Sequence, residues 1–202
     1  FPGLNESYFK KVIEFNADYI FVLDKHLIDQ EFVDMAKEKN IPLVQIDHHD
    51  VKKPDIEFYY NTFLDGGEIE STSYMCHKVV NKKEDEWLAL IGCIGDGFLP
   101  DFLSDFQTEN KDLIDAKVSS PFDVLYKTKL GKICQMLGYG LLDKTGNVIT
   151  MIKYLTKVKG PYDVLEENDK TKGFHDRYEF LNKKIKGIVK KAEQEQDKKE
   201  GL

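Results

Sequence analysis

Two short apolar runs constrain the fold of this chain more than any other feature. Tyr19, Ile20, Phe21, Val22 and Leu23 lead without a break into Asp24, and Leu43, Val44 and Ile46 lead into Asp47-His48-His49. An unbroken run like the first predicts a strand buried on both faces. Between the two runs, Ile28 to Lys39 carries Phe32, Val33 and Ala36 at helical spacing and stops at Asn40-Ile41-Pro42. Upstream, Asn5 to Asn16 reads as another helix, capped by Asn5 or Ser7, with Phe9, Val12, Ile13 and Phe15 on one face. The alternation helix, strand, helix, strand implies right-handed crossovers and a parallel sheet. Neighbouring parallel strands then bring Asp24 and the Asp47-His48-His49 turn to one sheet edge. Open α/β folds hold their ligands at that edge, beyond the carboxyl ends of the strands.

Each motif alone has a plain reading beside the functional one. An acid after a strand is a turn former or a site residue. Asp-His-His is a solvated turn, or a set of anionic oxygen and neutral nitrogen donors suited to Mn, Fe or Zn. Ile56 to Asn61 predicts a third short strand, and Asp65-Gly66-Gly67 a flexible loop. Ser71-Thr72-Ser73 opens a helix through about Val80. Hydroxyl side chains at such a start cap free N–H groups, and those same groups can receive a phosphate. His77, beside Cys76, reads as a packed or solvated residue. Glu84 to Asp96 is a further helix, with Leu88, Ala89, Ile91, Gly92 and Gly95 on a closely packed face. It ends at Gly95-Asp96-Gly97, where Asp96 is a surface acid at a glycine stop or a carboxylate presented to a site. Asp101 and Asp105 read as surface acids.

Composition narrows the function classes. The 202 residues suit one sizeable domain, or one domain with a helical appendage. A net charge of -7 argues against a broad basic surface for duplex DNA and leaves room for a local groove. Cys76, Cys93 and Cys134 are widely spaced and form no C-x-x-C, which gives neither a disulfide framework nor a zinc knuckle. A reducing, cytoplasmic setting is expected. With no apolar run of about 18 residues, no membrane span or signal peptide is expected.

Taken together, Asp24 closing one strand, Asp47-His48-His49 closing the next and Gly95-Asp96-Gly97 after a helix resemble three motifs of the DHH phosphoesterases, in order and spacing. Phe98-Leu99-Pro100 is most similar to archaeal members related to RecJ-type single-strand exonucleases. The resemblance covers about residues 1–105. It implies two divalent metals, manganese (Mn2+) or Mg2+, and hydrolysis of phosphodiester or phosphoanhydride bonds. It further implies that Asp24 bridges both metals, that His48 and Asp96 ligate the second, that Asp47 sits beside the site, and that His49 faces the substrate phosphate or the leaving group. Ser71 and Thr72 are expected to bind substrate phosphate. Two metals close together can activate a water and clamp the attacked phosphate.

Two family features are missing. A His-x-Asp-x-Asp-Gly stretch, which supplies the first metal's ligands, has no match here; only Glu6, Glu14 and Asp18 precede Asp24. The chain also begins Phe-Pro-Gly without a Met. The expectation is therefore a fragment, a product of a split gene or a degenerate relative, binding metal weakly and hydrolysing poorly on its own. The glycine-rich, His-containing signature of the family's C-terminal domain is absent too. The remainder reads as helices over Pro121 to Leu137, Asn147 to Lys159, Pro161 to Asn168 and Phe174 to Asp197, with His175 facing solvent.

The expected fold class is thus α/β. Residues 1–105 form a parallel sheet flanked by helices, and residues 106–202 form a C-terminal helical extension ending in a connector helix. Two functions remain in view. One is a metal-dependent phosphoesterase acting on single-stranded nucleic acid or oligonucleotides, with small phosphate substrates such as cyclic dinucleotides or pyrophosphate as a narrower variant. The other is a non-catalytic DHH-fold subunit that holds replication or repair partners.

Overall fold

The computed structural model describes residues 3–52 and 54–200. The protein is mixed α/β, and its chain divides into two compact units between Lys82 and Lys83. The sequence reading ends its α/β part at Asp105. The two units part earlier because the apolar face of the helix after Lys83 is buried in the second unit's core.

In the first unit, β1 (Ile20–Leu23), β2 (Leu43–Ile46) and β3 (Phe58–Tyr60) form an open sheet in the order β1-β2-β3. Both pairings are parallel, with Ile20 opposite Leu43 and Val44 opposite Phe58. Ile20, Val22, Leu43 and Tyr59 pack against Phe9 of α1 (Phe9–Glu14) and Phe32, Val33 and Ala36 of α2 (Gln30–Glu38). Phe9 and Phe32 meet edge to face at 5.3 Å, a favoured aromatic geometry. Asn5 caps the chain's entry into α1 by accepting from the Ser7 N–H. Asn16, Asn40 and Asn81 stop α1, α2 and α3 (Thr72–Val80) in left-handed conformations at φ 46°, 54° and 49°. Asparagine tolerates that region because its side chain bonds locally.

Double burial of the first strand does not hold. Phe21 and Leu23 are 63% and 49% exposed, while Ile20 and Val22 are buried. β1 is an edge strand, and α1 and α2 pack on its other face only.

The second unit is helical among the described residues. α4 (Glu86–Gly95), α5 (Leu103–Glu109), α6 (Pro121–Lys127), α7 (Lys129–Gly140), α8 (Thr145–Leu155), α9 (Pro161–Leu165) and α10 (Lys172–Glu200) follow in order. Trp87, Leu90, Val124, Leu130, Ile133 and Met136 make its core. α7 lies at the centre, in contact with α4, α6 and α10. α5 is an addition to the helices read from the sequence.

Two expectations fail in this unit. The helix expected over Pro121 to Leu137 is two helices, broken at Thr128, whose backbone is extended (φ -128°, ψ 161°). Thr128 caps α7 by accepting from the Gly131 N–H at 3.0 Å. A Cβ at position 131 would overlap the Val124 and Leu125 carbonyls, so the tight corner requires glycine. His175, expected in solvent, is buried, with Nε2 3.1 Å from the Val164 carbonyl oxygen. It sits in the first turns of α10, and its ring bonds to the carbonyl of α9. No helix among the described residues is long and apolar enough to cross a membrane.

Candidate metal centre

The sheet ladder runs one residue past each strand. The Asp24 N–H donates to the Ile46 carbonyl at 3.0 Å, and the Asp47 N–H donates to the Tyr60 carbonyl at 3.1 Å. Both aspartates are therefore held at the same carboxyl edge by backbone bonds. Asp24 has φ 56°. Aspartate tolerates the left-handed region better than most non-glycine residues, because its short polar side chain bonds locally, and residues held there concentrate at functional sites. The chain bends there, and the carboxylate is left half-exposed at the edge.

Here the side chains converge. His48 Nε2 lies 3.2 Å from Asp24 Oδ1. Asp24, His48 and His49 each offer one ligand atom, all within 4.8 Å of one another. His49 Nδ1 donates to Asp47 Oδ1 at 2.7 Å, which leaves its Nε2 as a free lone pair. A carboxylate behind an imidazole fixes the ring and its tautomer, as is common behind metal-bound histidines. Asp47 is fully buried, and its second oxygen, Oδ2, has no hydrogen-bond partner among the described residues. An orphaned buried carboxylate oxygen is costly unless positive charge lies near. These donors fit a divalent cation of the Mn, Fe or Zn type.

Several further groups brace this edge. Gln45, fully buried on β2, donates from Nε2 to the Lys25 carbonyl at 2.8 Å and pins the exit of β1. Asn61 donates from Nδ2 to the His49 carbonyl at 2.9 Å and to the Tyr59 hydroxyl at 3.1 Å. His26 rests on His49, ring centroids 4.4 Å apart. Sequence reasoning passed over all three. His26 carried the one usable signal, since it lies two residues beyond Asp24 on the same strand exit.

The hydroxyl residues expected to bind phosphate are both buried. Ser71 is the N-cap of α3, accepting from the Ser73 N–H at 3.2 Å. Thr72 Oγ1 donates to Asp24 Oδ1 at 3.4 Å and steadies that carboxylate. Cys76, on the same helix, has its thiol pushed up by burial and then by the Asp24 charge, so it is no thiolate at neutral pH. His49, read as a catalytic group, thus stands within the ligand cluster itself. Asp96 belongs to the second unit, where it ends α4 at the surface, followed by Gly97 at φ 74°.

Compared with known proteins, the chain matches no family model and no curated sequence.

Proposed function

We propose that this chain is a metal-dependent phosphoesterase of the DHH type, hydrolysing phosphodiester bonds of single-stranded nucleic acid or short oligonucleotides. The observation that carries the reading is the convergence of Asp24, His48 and His49 at the carboxyl ends of two adjacent parallel strands. Asp24 and His48 are the ligands of this reading, with Mn2+ or Mg2+ as the ion. Bound cations would supply an activated water and charge neutralisation at phosphorus. His49, oriented by the buried Asp47, faces the phosphate or leaving group with Nε2, whose lone pair can take up a proton there. Asp96 enters through the resemblance alone.

The test is hydrolysis of a 5′-labelled single-stranded oligonucleotide in manganese. Wild type shortens the strand, and chelation stops it. His49→Ala lowers the rate by about 100-fold or more while manganese still binds. Equal rates for the two proteins would overturn the assignment. Manganese binding without cleavage of oligonucleotides, cyclic dinucleotides or pyrophosphate would instead support the non-catalytic subunit.

A further inference from the structure

The second unit carries a groove of 520 Å³ between α6 and α7 on one side and α10 on the other, remote in sequence from the strand edge described above. One wall is aromatic, with Tyr126 and Tyr139. The other comes from α10, with Ile185, Lys186, Val189 and Lys190, and Glu193 stands at its C-terminal side. The aromatic wall continues past the groove. Tyr139 stacks on Tyr178 at 6.0 Å, Lys132 lies over the Tyr178 ring at 5.5 Å, and Phe122 lies parallel to Tyr126 at 6.5 Å. Phe122 and Tyr126 are 65% and 68% exposed, so these rings are presented to solvent rather than spent on the core.

The charge here runs against that of the whole chain. Between Phe180 and Lys191 there are five lysines and no acid, in a protein of net charge -7. Lys186 and Lys190 are one turn apart and exposed in the groove. Exposed rings beside a line of lysines give unstacked bases a π-face and their phosphates a counter-charge. A duplex hides its base faces and cannot use such rings. An amphipathic helix lying on a membrane would present its own apolar face, whereas these rings come from neighbouring helices and form a groove.

We propose that the groove between α6–α7 and α10 binds single-stranded nucleic acid, with bases stacked on Tyr126 and Tyr139 and phosphates paired with Lys186 and Lys190. This deepens the phosphoesterase reading by giving the substrate a second hold, yet it is tested without hydrolysis. The two can therefore fail separately.

The experiment is fluorescence anisotropy of a labelled oligothymidylate in chelator, across a salt series, on the full chain. Wild type binds. Tyr126→Ala with Tyr139→Ala weakens binding about tenfold or more. Lys186→Ala with Lys190→Ala lowers the slope of log affinity on log salt by about 1.4, as about 0.7 is expected for each phosphate contact to a single strand. Lys37→Ala, in the first unit, leaves binding unchanged. Tyr126 and the two lysines are exposed, and Tyr126→Ala alone, checked by circular dichroism, covers any folding loss at Tyr139. No binding by wild type overturns the proposal, as does binding indifferent to both groove variants. Lysine-dependent binding to phosphatidylserine vesicles but not to oligonucleotide, or a dimer dissolved by the same substitutions, also overturns it.

Discussion

Asp24 carries two demands at one position, a left-handed backbone and a carboxylate beside His48. The two can be separated. Asn accepts the left-handed region but has no charge, so Asp24→Asn is expected to keep its denaturant midpoint and lose manganese affinity. Asp24→Ala is expected to lose affinity and also about 1–2 kcal/mol of stability, read from urea unfolding followed by circular dichroism. Equal stability for the two variants would show that the backbone at this position is unstrained. The aspartate itself was legible in the sequence because it closes an apolar run. Its bracing was not. Gln45, Asn61 and His26 act through hydrogen bonds and ring contact between segments distant in sequence. Nothing in the spacing of single residues marks a glutamine inside a strand as the pin of its neighbour's exit.

At the scale of elements, local chemistry decides where helices start and stop. Ser120 and Asp123 form a reciprocal capping box on α6, with Pro121 in its first turn. Ser120→Ala is expected to cost about 1 kcal/mol. The Asp123 carboxyl is held well below its ordinary 3.8 by Lys127 first, then by bonds from Ser119 and Ser120. A carboxyl whose folded pKa is depressed contributes stability that is present above the unfolded value and lost as pH falls through the folded one. The capping contribution is therefore intact above about pH 4 and declines below 3.8. Acid titration of unfolding stability should fall more steeply for wild type than for Asp123→Asn, and identical acid limbs would contradict this account. The helix starts at Ser71, Pro121 and Pro161 and the stops at Asn16 and Asn40 could be read from residue type, while the stop at Asn81 was passed over. The break at Thr128 could not, because Val124, Leu125, Leu130 and Ile133 keep an apolar spacing straight across it. The exposed face of β1 was hidden for a similar reason. All its residues are apolar, so the period of two that marks a half-buried strand is absent.

At the scale of the whole molecule, two cores stand in one chain, and the parallel sheet with its site edge belongs to the first. The order of helices and strands made that sheet legible. The division at Lys82 was not, since no glycine-rich or proline-rich stretch marks it. Net charge is an average over the whole chain, and a value of -7 conceals the lysines of α10. Trp87, the single tryptophan, lies in the second core, so its fluorescence reports the integrity of that unit while the site residues of the first are changed. The central claim is that Asp24, His48 and His49 form a metal centre. Calorimetric titration of manganese into wild type and His48→Ala tests it most directly. The structure predicts saturable binding by wild type and an affinity at least about tenfold lower in the variant, with Trp87 emission unchanged. No binding by wild type, or the same affinity in both, would contradict it.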